Sequence, residues 1–319
     1  MLNKIGWKKM AIWLSLLVLV LCPVFFHSKS YIMHIFILFF CWAVLASSWN
    51  LLYGYAGIWS LAQVGVFVIG AYSSGMMAKF IGISPLICIP LAAILTALIV
   101  TLFVGLPSLR LKGIYICVFS LMFADALPSV LTQTRKWTGG GRGFHDIPPL
   151  WNNISRVHYY YVGFAIFLFS LFIIYKIINS STGKAFVALR DSRDFALSLG
   201  INEYKERLKV FGLSSFFAGL AGAFYGHYLG HISPTSLGIS PFLLAIAMME
   251  MGGLGRFPGA VIGAVVLVFG SELLRLTGMF RLTILGAAVV LIMLFMPKGL
   301  MQIIDIIDAR VSKVKGRVK

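Results

Sequence analysis

Long runs of apolar residues constrain this chain more than any other feature. Ala11 to Phe26 contains no charged residue, and comparable stretches recur along most of the 319 positions. A helix needs about 20 such residues to cross about 30 Å of hydrocarbon. A closed barrel would also satisfy its backbone in lipid, but its strands alternate polar and apolar residues, whereas these runs are apolar on every face. With 60% hydrophobic residues and a mean hydropathy of +0.93, composition agrees. The expected fold is all-α, a polytopic transmembrane helix bundle.

About ten spans are expected, near residues 11–26, 31–52, 57–78, 83–106, 113–131, 159–178, 210–230, 241–254, 259–276 and 281–296. The window at 241–254 is short and runs into glycine- and proline-rich Gly252 to Gly259, so a re-entrant half-helix is the alternative there. Two polar interruptions matter, Thr132 to His158 and Asn179 to Lys209, and neither has room for a soluble domain. The expected organisation is a membrane domain over 1–297, containing the loop 179–209, followed by a basic tail over 298–319.

A net charge of +17 would suggest nucleic acid in a soluble protein. With ten crossings, however, nineteen basic residues share the side of Asn179 to Lys209 and eight lie opposite. The positive-inside rule makes the richer side the cytoplasm and places both ends of the chain there. Topology thus accounts for the charge, and no nucleic acid is needed as a partner. The basic and then apolar N-terminal stretch reads as a retained first helix, because His27-Ser28-Lys29-Ser30 is no small-residue cleavage site. Cys22, Cys41, Cys88 and Cys117 fall inside apolar windows without a C-x-x-C pair and read as buried small hydrophobes.

Glycine is concentrated in two places. GYAGIWSLAQVGVFVIGAYSSG supplies Gly54, Gly57, Gly65, Gly70 and Gly75, and AGLAGAFYGHYLG supplies Gly219, Gly222, Gly226 and Gly230. Gly222, Gly226 and Gly230 are four apart, so they share a helical face that another helix can approach closely. Polar groups inside apolar windows are functional candidates. Asn50 and Gln63 flank the first glycine-rich stretch, and each either lines a pathway or makes an interhelical hydrogen bond. Asp125 could meet a cationic group of a substrate or a basic residue at the outer face. Tyr159, Tyr160 and Tyr161 read as an interfacial aromatic belt, and Glu272 with Arg275 as a rim ion pair.

ALRDSRDFALSLG, Ala188 to Gly200, is out of character with the rest of the chain. On a helical wheel Ala185, Ala188, Leu189, Ser192, Phe195, Ala196 and Leu199 share one arc, while Arg190, Asp191, Arg193 and Asp194 lie opposite. The segment is expected to be one amphipathic helix on the cytoplasmic face, ended by Gly200. A helix lying on lipid would favour basic residues alone on its polar face, and a plain connector needs no apolar arc. Mixed charge suits docking of a protein partner.

Catalysis is not indicated. Gly183-Lys184 is followed by Ala185 and lacks the upstream glycine of a phosphate-binding loop, so ATP hydrolysis is not encoded. His227 and His231 stand four apart without a further ligand for metal. Ser214 and His227 lie about 20 Å apart on one continuous helix, too far for a nucleophile and its base.

The stretch from Ala188 to Pro234, together with SWNLLYGYAGIWSLAQVGVFVIGAYSSGMMA, GLPSLRLKGIY, Thr138-Gly139-Gly140 and GGLGRFPGAVIGA, resembles the branched-chain amino acid permeases of bacterial ATP-binding-cassette importers. The arrangement is more similar to the M-type than to the H-type permease. Where that family usually reads R-E-N-E-x-A-A, this chain has Arg190-Asp191-Ser192-Arg193-Asp194-Phe195-Ala196-Leu197, keeping the acid pattern in shortened form. Gln63 stands at a position where the family often has His or Gln, and Asp125 where it commonly has Glu. The resemblance implies no enzyme activity or cofactor in this chain and a multi-pass location in the bacterial inner membrane. It also implies separate ATPase subunits, a paralogous H-type permease and an extracytoplasmic solute-binding protein as partners. Asn50, Gly57, Gln63, Gly65, Gly70 and Asp125 would then lie along the amino-acid pathway, and Ala188, Arg190, Asp191, Arg193, Asp194, Phe195, Ala196 and Gly200 would receive the ATPase. Importers of urea, short amides or a sugar share much of this pattern and give the alternative substrate class.

Overall fold

Apolar runs leave the backbone no hydrogen-bond partner in lipid but itself, and helices are the result. The computed structural model describes residues 30–151, 155–234, 238–278, 280–296 and 299–302, with Leu19, Val20 and Pro23. The expected span at 11–26 and nearly all of the basic tail lie outside the described residues. The helices are α1 (Ser30–Asn50), α2 (Gln63–Met76), α3 (Pro85–Val100), α4 (Ile114–Gln133), α5 (Arg156–Asn179) and α6 (Ser181–Asp191). They continue with α7 (Arg193–Ser198), α8 (Glu203–Leu229), α9 (Ile239–Gly252), α10 (Gly259–Leu273) and α11 (Phe280–Phe295). Phe144 and Ile232 form an isolated β-bridge, and there is no strand among the described residues.

With their π-helical and short helical extensions, six stretches are long and apolar enough to cross a membrane: Tyr31–Tyr55, Gln63–Ile81, Pro85–Ser108, Ile114–Gln133, Arg156–Asn179 and Glu203–Leu229. The protein is therefore a multi-pass helical bundle. Helices α9, α10 and α11 coincide with the last three expected windows but have only 14, 15 and 16 residues. At 1.5 Å per residue each measures about 21–24 Å, short of about 30 Å of hydrocarbon.

Helix α8 is the central post, packed against α2, α3 and α1, and α1 in turn touches α5 and α10. Glycines set the closest approach. A Cβ on Gly222 would fall on the Phe67 carbonyl of α2, and one on Gly70 would fall on the Gly219 carbonyl. Backbone therefore meets backbone with no side chain between. The expected Gly222, Gly226 and Gly230 face is corrected at one position. Gly230 ends α8 in a left-handed conformation, φ 74°, with open space around it, and Gly219 takes its place in the seam.

Aromatic rings fill the other side of α1. Phe40 lies edge-on to Tyr160 with centroids 5.2 Å apart, and Phe36, Phe39, Phe164, Phe167 and Phe269 complete the layer between α1, α5 and α10. This corrects the expected interfacial belt: Tyr159 and Tyr160 are buried, and only Tyr161 is exposed. The Tyr159 hydroxyl donates to the His227 carbonyl at 3.1 Å.

At the end opposite α6 and α7, the loop after α4 folds back over α2 and α8. Gly139 and Gly140 turn it with φ of 74° and 66°, conformations that favour glycine. The Phe144 amide then donates to the Ile232 carbonyl at 2.7 Å. His227 is held beneath the loop between the Ser74 hydroxyl and the Pro148 carbonyl, each at 2.8 Å. The expected rim pair is present, with Arg275 Nη1 3.3 Å from Glu272 Oε1.

Candidate functional site

At the end of the bundle nearest α6 and α7, α1 widens into a π-helical turn, Leu51–Tyr55, and the chain then runs irregularly to Gln63. The window expected as helix from residue 57 thus becomes helical only at 63. Gly57, φ 68°, makes the turn. The irregular segment is fastened along its length: Trp49 Nε1 donates to the Ser60 carbonyl at 2.9 Å, and the Leu61 amide donates to Ser120 Oγ at 2.8 Å.

Asn50 and Gln63 both serve as interhelical ties here. Asn50 Oδ1 accepts from the Gly255 amide at 2.9 Å, and its Nδ2 donates to the Arg256 carbonyl at 3.2 Å. One side chain thereby clamps the end of α1 to the turn between α9 and α10. Gln63 Nε2 donates to Ser48 Oγ at 3.0 Å and to the Ser214 carbonyl at 3.2 Å, joining α1, α2 and α8. Gly65 lets Ala124 and Leu127 of α4 approach α2, and Gly70 belongs to the α2–α8 seam. Asp125 stands on the exposed face of α4, a helix of which only 11% of the apolar window is buried. The six residues expected along a pathway are therefore not gathered in one cavity.

The expected single amphipathic helix is two helices. Ser192 adopts an extended conformation, φ −154° and ψ 99°, and its carbonyl accepts from the Ala196 amide, so it ends α6 and starts α7. Gly200, φ 80°, is the left-handed residue beyond α7. Its amide bonds to the Leu197 carbonyl and that of Ile201 to the Ala196 carbonyl, which closes the helix end.

The faces also differ from the wheel. Phe186 and Ala196 are buried and Ala188 is half-buried, but Phe195 is 64% and Leu199 63% exposed. The arginines turn inward instead. Arg190 Nη1 donates to the Gly54 carbonyl at 2.5 Å, and its stem lies against Gly57. Arg193 Nε meets Glu203 Oε2 at 2.8 Å, and Arg207 Nη2 meets Glu203 Oε1 at 2.9 Å. Arg207 also reaches the Ser108 and Leu111 carbonyls beyond α3, at 3.5 and 3.4 Å. Asp191 and Asp194 remain on the outer side, with side chains 60% and 96% exposed.

The result is a short helical pair with a charged, hydrogen-bonded underside and an outer face of acid and apolar groups. A cavity of about 380 Å³ lies beneath it, lined by the 56–59 segment, the start of α4, α6 and the start of α8. Sequence reasoning missed Gly54, Glu203, Arg207 and Gly255. Of these only the Glu203–Arg207 spacing, four apart on a helix, was visible as a signal. Among the described residues there is no cluster of three or more metal-binding side chains.

Comparison with known proteins places this architecture. The chain is 28% identical over 285 residues to the high-affinity branched-chain amino acid transport system permease protein LivM of Salmonella typhimurium, covering 81% of this chain and 67% of that protein. Identity to LivM of Escherichia coli K12 is 27% with the same coverage. The permease protein LivH of Salmonella typhimurium is 24% identical, with 82% of this chain and 91% of LivH covered. No solved structure matches significantly. A family described as the permease component of the branched-chain amino acid transport system matches residues 31–296, and the chain belongs to that family.

Proposed function

We propose that this chain is a membrane-spanning permease subunit of an ATP-binding-cassette importer, and that it moves branched-chain or other hydrophobic amino acids into the bacterial cytoplasm. Family membership supports the transport role. The observation that carries the mechanism is the two-sided α6–α7 pair: anchored beneath by Arg190 and Arg193, it leaves Asp191, Asp194 and Phe195 facing outward. An ATPase subunit bound to that outer face would move a unit already bonded to the bundle. ATP is hydrolysed by that subunit, and this chain acts as no enzyme.

Similarity to both a LivM and a LivH supports pairing with a paralogous permease. Little of α4 is buried within the chain, and Asp125 gives that face a carboxylate, so α4 is assigned to the partner permease and the amino-acid pathway. Gly65 brings α4 onto α2 beside it. An extracytoplasmic solute-binding protein delivers substrate at the Gly139–Ile147 loop. The α6–α7 side is cytoplasmic and the membrane is the inner one, in line with the distribution of basic residues.

The test is to reverse both outer charges, Asp191→Lys with Asp194→Lys, and to measure membrane insertion, co-purification of the ATPase and uptake of labelled leucine. Insertion is expected to be normal while ATPase association and uptake are lost. Unchanged uptake would remove the docking assignment.

A further inference from the structure

Glu250 is a carboxylate in apolar company. It stands in the last turn of α9 and is half-buried, and among the described residues no cation or hydrogen-bond donor meets its side chain. It shares a small pocket with Trp49, Tyr53, Trp59, Ile246 and Met249. Trp49 and Tyr53 lie six and two residues before the end of the span Tyr31–Tyr55, which places the pocket about 3–9 Å inside the cytoplasmic end of that span. An unpaired carboxylate at membrane level costs free energy and calls for a cation.

The other walls suit a cation too. Tyr53 and Trp59 meet edge to face with centroids 4.8 Å apart, and Trp49 is fixed beside them by its bond to the Ser60 carbonyl. Aromatic faces attract cations, and an ammonium group more than an apolar one. An anion would be repelled by Glu250, and a purely apolar group would leave it unanswered. The pocket measures about 60 Å³. At about 10–15 Å³ for each water it has room for about four to six, enough for an ammonium group and the carbon that bears it. A whole amino acid does not fit.

The pocket adjoins the helix assigned to the pathway. Leu61 forms part of its wall and donates its amide to Ser120 of α4 at 2.8 Å, while Trp59, 56% exposed, stands at the mouth. We infer that this pocket holds the α-ammonium group of the amino acid on its way to the cytoplasm, with Glu250 as the charged partner and the three rings around it. The inference rests on the proposed function, which supplies both the cargo and its direction. A station on a pathway must bind well enough to be entered and loosely enough to be left. Because only the charged end enters, the apolar side chain of the cargo stays outside and adds nothing to the hold.

The test uses the membrane complex of both permeases and the ATPase in nanodiscs of zwitterionic lipid, without the binding protein, which would itself take up leucine. Saturation-transfer NMR then reports weak binding of isoamylamine, leucine and isocaproate, with empty nanodiscs as background. Isoamylamine and leucine should give signals, and isocaproate, which lacks the ammonium, should not. Glu250→Gln removes the charge at nearly constant volume and is expected to weaken isoamylamine binding about tenfold or more, whereas Glu250→Asp should keep most of it. Should Glu250→Gln fail to assemble, Trp59→Ala, at an exposed position, decides by the same loss. With the binding protein added, ATP-driven leucine uptake into proteoliposomes should fall in the variants that lose the amine.

Equal isoamylamine binding by wild type and Glu250→Gln would overturn the inference, as would no amine signal in the wild type, the result expected if a lysine of a neighbouring subunit fills the pocket. Lost amine binding with unchanged leucine uptake would also overturn it, because the pocket would then lie off the pathway. Absence of leucine uptake by the wild type would instead refute the proposed function.

Discussion

Asn50 shows what a single residue in an apolar window can and cannot reveal. Its polarity marks it in the sequence, but its partners, Gly255 and Arg256, lie more than two hundred positions away, and chain spacing carries no trace of them. Arg190 is the same case, since its bond to the Gly54 carbonyl joins residues 136 apart. Glu203 and Arg207 differ because a pair four apart on a helix must face one another. The candidate site was therefore legible as a set of unusual residues and illegible as a set of contacts. Replacing Asn50 by Leu would take the acceptor from the Gly255 amide, at a cost of about 1–3 kcal/mol for that group. The expected outcome is a lower midpoint in thermal unfolding of the detergent-solubilised protein. An unchanged midpoint would show that the clamp contributes nothing to stability.

Among the described residues, windows of apolar residues located nine helices close to where they stand, because backbone satisfaction in lipid leaves few alternatives. The departures have local causes. Residues 57–62 are as apolar as a helix requires, but Gly57 turns there and tertiary bonds from Trp49 and Ser120 hold the irregular path. The break at Ser192 was hidden in a different way. Serine is a favoured first residue of a helix, and here it starts α7, yet on the wheel it sat within the arc taken to be continuous. The glycine face was read correctly in kind and one position out in extent, because Gly230 is wanted for its left-handed φ rather than for its missing side chain. A direct check is Gly222→Leu, which puts a side chain where the Phe67 carbonyl lies. The two helices would have to separate, and the protein is expected to be found mostly misassembled or degraded. A substitution at the exposed polar start of α8, such as Lys205→Gln, serves as the tolerated control. Equal yields would mean that the seam adjusts freely.

Across the whole molecule, the α6–α7 pair is connected to the bundle by two routes. One runs through Arg190 to the Gly54 carbonyl, and from there through Asn50 to the turn between α9 and α10. The other runs through Arg193 and Glu203 to Arg207, the end of α3 and the body of α8. Because α8 meets α2 backbone to backbone, a shift of α8 carries α2 with it, whereas α1 and the α9–α10 turn follow only if the first route holds. Arg190→Ala cuts that first route and frees Asp191 from its 2.8 Å ion pair, while the acids and Phe195 of the outer face remain available to a partner. A hydrogen bond to a charged group contributes about 1.5–3 kcal/mol, and about 1.4 kcal/mol corresponds to a factor of ten. In the assembled importer, leucine taken up per ATP hydrolysed is therefore expected to fall at least tenfold, with ATPase association and hydrolysis largely kept. Loss of association together with uptake would make Arg190 part of the docking surface instead. Unchanged uptake per ATP would mean that movement enters the bundle through Glu203 and α8 alone.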